Sequence, residues 1–380
     1  MATRREFMMG AAAATTLAAT ARAATAPART RYLYAVNESL ANLGSISVYD
    51  IDHGHRLVKT IRTVQNVVEV RGVAVSRITG RLYVAYRTVS DEGFIYCLNL
   101  YDDRILWNKV IRPDVDRLAI SPDGRLLYSP SGEDHRFRFI NVVDAANGDI
   151  TRQVQFPKAS HDALFPLSGP LFQETKALEK SGWYLYMVDP TSYAISRIGP
   201  YANTLGPYAV NGRSTYVVNT VVNLWGMQVA DIRANRIITA PLPGRAPHPR
   251  FLPHAIGWRP DEKEVWQAGD ADDPHLYVWD MANPMSPVLK QQLRLRSGLG
   301  SHWLTFDIDG HYCYAAPIKN RFAYSELLGE IFDARTHLSV GTIGPSEDFL
   351  EVDFADGKVT RVGDQYGIGR VLSPSPEKLL

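Results

Sequence analysis

The stretch VDRLAISPDGRLLY, residues 115–128, consists of two short apolar runs joined by a Pro-Asp-Gly sequence. Pro122 presets the φ angle that a tight turn needs, and Gly124 accepts a positive φ, so the chain can reverse sharply between the two runs. The residues on both sides are mostly of types that favour strands. The stretch therefore predicts a β-hairpin.

This hairpin recurs along the chain. Clear copies occupy residues 70–85, 254–267 and 302–315, and weaker ones occupy residues 161–173 and 208–218. When the first strands of the copies are aligned, successive equivalent positions are 45 to 48 residues apart. A period of this length with four strands per unit is typical of a β-propeller. The aligned positions, called the ladder below, are Arg71, Asp116, His161, Gly206, His254, His302 and Phe349.

The second half of each repeat has a signature of its own, an apolar run that ends in aspartate and is followed by a polar turn. An aspartate at such a place accepts hydrogen bonds from backbone N–H groups where the chain reverses. We interpret these aspartates as structural residues. They are Asp50, Asp144, Asp189, Asp231, Asp280 and Asp333.

The two ends of the repeat region complement each other. Residues 31–38, RYLYAVNE, look like a second strand without a first one, and residues 348–357 supply a strand near the other end. Pairing them would close the ring and remove an open sheet edge. The sequence therefore predicts an all-β, seven-bladed propeller with four-stranded blades over residues 31–362, closed by the N- and C-terminal strands in one blade, and a C-terminal tail over residues 363–380.

The repeat LAISPDGRLLY, followed by turns after an apolar run and an aspartate, resembles the YVTN-repeat family of seven-bladed β-propellers, also called YncE-like. The resemblance covers residues 31–362 and is best in blades 2 and 3. Blade 4 departs from the pattern, because its turn is Leu167-Ser168-Gly169 and residues 174–182 form a polar insertion. The resemblance implies the fold and leaves the function open, since this architecture serves as scaffold, hydrolase, electron-transfer subunit and metal enzyme.

The first residues resemble a twin-arginine export signal. Arg4 and Arg5 precede an apolar, alanine-rich run over residues 8–19, and Ala21-Arg22-Ala23 fits a cleavage site. We predict a signal peptide over residues 1–23 and a periplasmic mature protein. The apolar run is too short for stable membrane insertion. The net charge of +1 argues against nucleic acid as a partner.

Cys97 and Cys313 are the two cysteines of the chain. Each falls in a predicted strand, and the two strands belong to distant repeats. We expect two buried, unpaired thiols, with a disulfide as the alternative in an oxidising compartment.

Three of the seven ladder positions are histidine, namely His161, His254 and His302. The innermost strand of each blade lines the central channel of a propeller, so these imidazoles are predicted to face one pocket. Three imidazoles are suitable ligands for a transition metal such as copper, iron or zinc. His248 in the segment before His254 is a candidate fourth ligand.

Four further residues are assigned supporting roles around this predicted metal. Asp116, Asp162 and Glu174 are candidate catalytic residues that carry protons or orient an imidazole, and Arg71 is the candidate for holding an anionic group of a cofactor or ligand.

These assignments predict an exported propeller with a histidine-lined central pocket that binds a transition metal and acts on a small molecule by redox or hydrolytic chemistry. One alternative is a propeller whose histidines only bridge neighbouring blades. Another is a non-catalytic propeller that binds a ligand or a periplasmic protein. A third is an accessory subunit of a periplasmic dehydrogenase, whose redox centre would belong to the partner because the chain has no C-x-x-C-H haem motif.

Overall fold

The computed structural model of the 380-residue chain describes residues 29–37, 43–88, 92–132, 137–157, 159–175, 179, 181–245, 253–269, 271–318 and 327–372. The predicted signal peptide over residues 1–23 and the candidate ligand His248 lie outside the described residues. Within the described ranges the regular secondary structure consists of β-strands, and there is no helix.

Twenty-nine strands form seven antiparallel sheets. Blade 1 contains β1 (Thr30–Asn37), β2 (Ile46–Asp50), β3 (Arg56–Ile61), β28 (Ser346–Ala355) and β29 (Lys358–Val362), and blade 2 contains β4 (Val67–Ser76), β5 (Arg81–Thr88), β6 (Gly93–Asn99) and β7 (Ile105–Ile111). Blade 3 contains β8 (Ala119–Ile120), β9 (Leu126–Pro130), β10 (Phe139–Asp144) and β11 (Ile150–Gln155), and blade 4 contains β12 (Ser160–Leu164), β13 (Leu171–Thr175), β14 (Trp183–Val188) and β15 (Ile195–Tyr201).

The remaining three blades follow in the same order along the chain. Blade 5 contains β16 (Leu205–Val210), β17 (Tyr216–Val221), β18 (Gly226–Asp231) and β19 (Arg236–Pro241), blade 6 contains β20 (Ile256–Trp258), β21 (Glu264–Ala268), β22 (His275–Asp280) and β23 (Val288–Arg294), and blade 7 contains β24 (Ser301–Phe306), β25 (Tyr312–Pro317), β26 (Gly329–Asp333) and β27 (Leu338–Ile343). The prediction of a seven-bladed propeller with four-stranded blades is confirmed, and blade 1 carries a fifth strand.

The turn chemistry of the sequence produces the predicted hairpins. In blade 3 the backbone N–H of Gly124 donates to the Ser121 carbonyl over 2.8 Å, and Gly124 has a φ of 73°. The repeat aspartates accept backbone N–H bonds in the outer turns, as expected. For example, Asp189 Oδ1 accepts from Thr191 over 3.0 Å and from Ser192 over 2.7 Å. Turn-forming side chains therefore define the ends of the strands.

The ring closes in blade 1, where β1 pairs with β28 and Tyr34 lies opposite Leu350. The prediction that the two chain ends share one blade is confirmed. Beyond blade 1, hydrophobic clusters fill the spaces between neighbouring blades, and Cys97 and Cys313 lie in them as buried, unpaired thiols. The apolar face of each blade is thus buried against the next blade.

A network of buried charges supports this closure. Arg31 on β1 donates from Nε to Glu351 Oε1 over 2.7 Å and from Nη2 to Asp307, which belongs to the β24–β25 turn of blade 7. Asp309 in the same turn accepts from Arg29 over 2.6 Å and from Arg361 over 2.7 Å. We call this set, with Asp353, the closure cluster. It comprises Arg29, Arg31, Asp307, Asp309, Glu351, Asp353 and Arg361.

The C-terminal tail lies across the channel at the end where the first hairpin turns of the blades are found. After β29, the Gly367 carbonyl accepts a hydrogen bond from Trp258 N over 2.8 Å, and Gly369 N donates to the Val210 carbonyl over 3.0 Å. A Cβ on Gly367 would come within 2.8 Å of the Gly257 Cα, so the tail and blade 6 approach closely. The tail, residues 363–372, therefore covers part of one end of the channel.

Candidate functional site

The ladder residues lie where the inner strands are interrupted by an extra residue. On β12, Ser160 pairs with Thr175 and Ala163 pairs with Gln173, so three residue steps on β12 face two on β13. Corresponding interruptions occur at the ladder position in β4, β16, β24 and β28. A bulge of this kind bends the strand and re-aims its side chains. Neighbouring residues such as His161 and Asp162 can therefore both contribute to one site.

The pairing also corrects the seventh ladder position. In blades 2 and 7 the ladder residue precedes by two positions a core residue that pairs with the next strand, Val73 opposite Val84 and Leu304 opposite Ala315. In blade 1 the matching core residue is Phe349, which lies opposite Ala35 and packs on the same side of its blade as Val73 and Leu304 do in theirs, so the ladder residue is Glu347. The assignment of Phe349 was wrong by two residues, and its side chain is buried in the hydrophobic core. The seventh position thus carries a carboxylate.

His161 lies at the centre of a compact, buried set of ligand-type side chains. Its Nδ1 is 3.2 Å from Glu174 Oε2 and 3.4 Å from Asp162 Oδ1. The three side chains offer ligand atoms that all lie within 4.8 Å of one another, and all three residues are buried. His161 and Asp162 come from β12, and Glu174 comes from the adjacent β13. One imidazole and two carboxylates in this arrangement are able to bind a metal ion.

Asp116 and Arg71 adjoin the other edge of the His161 ring. Asp116 Oδ2 lies 3.8 Å from His161 Nε2, and Asp116 Oδ1 lies 2.8 Å from Arg71 Nη2. Arg71 also donates to Glu69 over 2.9 Å. Asp116 is buried and precedes the short strand β8. A carboxylate on the far side of a metal-binding imidazole can orient the ring and raise its basicity.

His254 and His302 form a second subsite. Their ring centroids are 4.0 Å apart, and His254 Nδ1 donates to the His302 carbonyl over 2.6 Å. In a neutral His254 ring this bond leaves the lone pair on Nε2. His302 Nδ1 lies 2.8 Å from Glu347 Oε1, and Trp303 Nε1 donates to the same oxygen over 3.1 Å. The pair is therefore associated with Glu347 of blade 1.

Arg117 connects the two subsites. Its Nη2 donates to Glu347 over 3.2 Å, its Nη1 donates to Asp348 over 3.1 Å, and its Nε lies 3.7 Å from Asp162 Oδ1. The guanidinium also stacks 3.8 Å from the Trp303 ring centroid. Burial opposes the charged form of Arg117, but the carboxylates of Asp348 and Glu347 outweigh it and raise the Arg117 pKa above its usual value. Arg117 therefore stays charged and holds these carboxylates in place.

We call the whole set the channel cluster. It comprises Arg71, Asp116, Arg117, His161, Asp162, Glu174, His254, His302, Glu347 and Asp348. Acidic residues outnumber arginines in it by five to two among these described residues. The resulting negative potential favours the binding of cations and the protonated form of the imidazoles.

The predicted site residues thus fall into two groups. The structure places His161, Asp162 and Glu174 together, with Asp116 and Arg71 at their edge, and it places His254 and His302 with Glu347. Among the described residues, the set that meets the 4.8 Å spacing of metal-ligand atoms contains His161 but neither of the other two ladder histidines. A single metal bound by all three histidines stays a prediction.

Sequence reasoning missed Arg117, Glu347 and Asp348. Strict alternation along a strand assigns the residue after a ladder position to the opposite face, and the bulges break that alternation for Asp162 and Trp303. One signal was present in the sequence, the adjacent acids Glu347 and Asp348 directly before the apolar pair Phe349 and Leu350.

A large cavity lies away from the channel cluster. It has a volume of about 510 Å³ and is found at the tail end of the channel, between blades 2 to 4 and the tail. The wall includes Val75 and Ile120 from inner strands, Phe165 directly after β12, and Asp364 and Leu372 from the tail. None of the predicted site residues lines it, so the chemistry of the channel cluster is separate from this cavity.

Comparisons with known proteins support the fold. No family model matches the chain, and no curated protein sequence matches it significantly. Among solved structures, the chain is similar to hydrazine synthase of Kuenenia stuttgartiensis, with a TM-score of 0.58, 14% identity and coverage of 80% of this chain and 90% of that one. It is also similar to the dihydro-heme d1 dehydrogenase NirN in complex with DHE, with a TM-score of 0.54, 13% identity and coverage of 86% and 75%.

A third similar structure is the β-propeller domain of Cps50 (Swd1) from Myceliophteria thermophila, with a TM-score of 0.55, 13% identity and coverage of 77% and 96%. At this level of identity the likeness shows a shared propeller fold. The described part of the chain also has no helix with the length and apolarity needed to cross a bilayer.

Proposed function

We propose that this chain is an exported propeller of the YVTN-repeat type that binds a transition metal in its channel cluster. The observation that carries the proposal is the buried set of His161, Asp162 and Glu174, whose ligand atoms lie within 4.8 Å of one another. One nitrogen and two oxygen ligands suit iron(II) or zinc better than copper.

The two edges of the His161 ring have different tasks in this proposal. Nδ1 faces Asp162 and Glu174, so it is the ligand atom. Nε2 faces Asp116, and Asp116 is held in turn by Arg71. Asp116 then orients the imidazole and takes the part of proton carrier, because the other two predicted proton carriers act as ligands.

A metal bound at this place would supply Lewis-acid activation of water or dioxygen for a hydrolytic or redox reaction on a small molecule. The chain itself would hold the metal in a buried, negatively charged setting. His254 and His302 then line the adjacent side of the site and contact the small molecule, with Trp303 as an apolar wall.

A second candidate function is that of an accessory propeller in a periplasmic dehydrogenase. The likeness to NirN, a dehydrogenase, favours it. In that case the channel cluster would be a polar docking surface and the redox centre would belong to a protein partner. The periplasmic location rests on the twin-arginine sequence around Arg4 and Arg5.

Metal analysis of the untagged protein, purified from the exported fraction, tests the proposal. We expect about one zinc or iron ion per chain in the wild type and loss of the ion in His161→Ala and Glu174→Gln. His275→Ala is the matched control, because His275 contacts Asp273 over 2.5 Å outside the channel cluster. A wild type without metal, or full retention in His161→Ala, would overturn the metal site and favour the accessory function.

A further inference from the structure

The C-terminal tail reaches the channel cluster from the end of the channel that it partly covers. Its main chain is attached to blades 5 and 6, and the Gln365 carbonyl accepts a hydrogen bond from Thr305 Oγ1 of blade 7 over 2.7 Å. Two of its side chains, Gln365 and Tyr366, are buried and directed at carboxylates of the cluster. The tail thus contributes polar atoms to a site that otherwise consists of inner strands and the segment before β8.

Tyr366 contacts Asp162. Its hydroxyl donates to Asp162 Oδ1 over 3.3 Å. The same oxygen lies 3.4 Å from His161 Nδ1 and 3.7 Å from Arg117 Nε. A carboxylate oxygen only accepts, so the phenol hydroxyl is the donor in this bond. Tyr366 therefore holds one particular oxygen of Asp162.

Gln365 contacts Asp348 in a fixed orientation. Its Oε1 accepts a hydrogen bond from Val73 N over 2.9 Å, which defines which end of the amide is the oxygen. The Nε2 group then donates to Asp348 Oδ1 over 2.5 Å, and Arg117 Nη1 donates to the same oxygen over 3.1 Å. Gln365 thus sets the position of the Asp348 carboxylate, which follows the ladder residue of blade 1.

We propose that the tail completes the metal site, with Tyr366 and Gln365 as positioning residues that fix the carboxylates of Asp162 and Asp348. This inference rests on the proposed metal-binding function. It assigns to the tail a role in the affinity of the site in addition to its part in the fold. Substitution of a residue that hydrogen-bonds to a metal ligand typically lowers metal affinity by about ten- to a hundredfold.

The substitution Tyr366→Phe tests the inference. It removes the hydroxyl and keeps the ring, which packs edge-on against Trp303 with centroids 5.5 Å apart. We expect metal affinity, measured by competition titration with Zn²⁺, to fall by about tenfold or more, and the pH of half-maximal Zn²⁺ binding to rise. The melting temperature should remain within about 4 °C of that of the wild type.

Tyr208→Phe is the matched control. The Tyr208 hydroxyl is also fully buried, and the charges of Asp162 and Glu174 contribute to the raised Tyr208 pKa, so it lies near the same carboxylates. It has no hydrogen-bond partner among the residues that the structure describes. Its removal should leave Zn²⁺ affinity unchanged.

Crystal structures of the metal-free wild type and both variants separate the two hypotheses. We expect the Asp162 carboxylate to turn away from His161 in Tyr366→Phe and to stay in place in Tyr208→Phe. If the wild type binds Zn²⁺ and Tyr366→Phe binds it equally well, the positioning role is overturned and the metal site stands. If the wild type binds no metal, the proposed function fails, and the position of Asp162 in the variant structures decides the positioning role alone.

Discussion

The molecule contains two buried ionic clusters that differ in their composition. In the closure cluster, arginines from β1 and β29 meet carboxylates of blades 1 and 7, and Glu351 Oε2 also accepts from Ile308 N over 2.5 Å. In the channel cluster, carboxylates meet imidazoles that are able to bind a metal. The first arrangement satisfies charge within the fold. The second combines groups that bind cations or transfer protons.

This difference indicates which cluster stabilises the propeller and which serves function. Arginine remains charged at all relevant pH values and fits carboxylates geometrically, so it suits permanent pairs. Histidine changes its charge near neutral pH and binds metals. Substitutions in the closure cluster should therefore affect stability, whereas substitutions in the channel cluster should affect ligand binding.

The largest expected effect is that of Arg31→Met. The substitution leaves Asp307 and Glu351 buried without their guanidinium partner, which should cost about 3–5 kcal/mol of unfolding free energy. Urea denaturation followed by tryptophan fluorescence measures it. Arg104→Met is the control, because Arg104 pairs with Asp102 at the surface and should change the free energy of unfolding by less than about 1 kcal/mol.

Metal content sharpens this test. Folded Arg31→Met protein should bind metal as the wild type does, since the closure cluster lies at the junction of blades 1 and 7. Equal loss of metal in Arg31→Met and His161→Ala would show that the two clusters are not separate in function.

A smaller effect concerns pH. Burial and the neighbouring charge of Glu351 raise the pKa of Asp353 to about 8, and burial raises that of Asp307 to about 6. Both values exceed the unfolded value of about 3.9. The protonated carboxyls thus stabilise the fold fully below about pH 4, and this contribution is lost as the pH rises through the folded pKa values.

We therefore expect Asp353→Asn to be more stable than the wild type by about 1–3 kcal/mol at pH 8.5 and similar to it near pH 4. Thermal unfolding between pH 4 and 9 measures the difference. A variant whose pH profile runs parallel to that of the wild type would show that Asp353 does not titrate in this range.

The smallest expected effect lies within the channel cluster and tests where its metal site ends. His302 lies with Glu347 rather than in the His161 set. His302→Gln should therefore weaken Zn²⁺ binding by about tenfold or less, and His161→Gln should weaken it far more. If both substitutions weaken binding to the same extent, the three ladder histidines share one metal, as the sequence predicts.

The fold was predictable because local turn chemistry repeats at a constant period. Pro122 and Gly124 in blade 3 and the aspartates of the outer turns mark strand ends that the structure confirms. The ladder placed His161 correctly because its blade keeps the common spacing. It failed at Phe349, because the strand pairing places Glu347 at that position, and a shift of two residues exchanges a carboxylate for a core side chain.

The grouping of the site residues was not predictable from spacing. Whether His161 faces Asp162 or His302 depends on bulges, and an extra residue in a strand leaves no pattern in a single sequence. Tyr366 lies in a tail without apolar periodicity, so its contact with Asp162 follows only from the tertiary structure. The repeat therefore predicts the propeller fold, whereas long-range contacts of this kind determine which side chains form the site.

The pairing of β1 with β28 has a consequence for synthesis of the protein. Arg31 and its partner Glu351 are 320 residues apart, so the first strand emerges from the ribosome long before the strand beside which it belongs. Glu347, Asp348 and Tyr366 also belong to the last part of the chain, and the metal site would be finished only after nearly every residue has been translated. A nascent or C-terminally truncated chain would therefore bind metal poorly. Bound metal would then indicate that the ring is complete and closed.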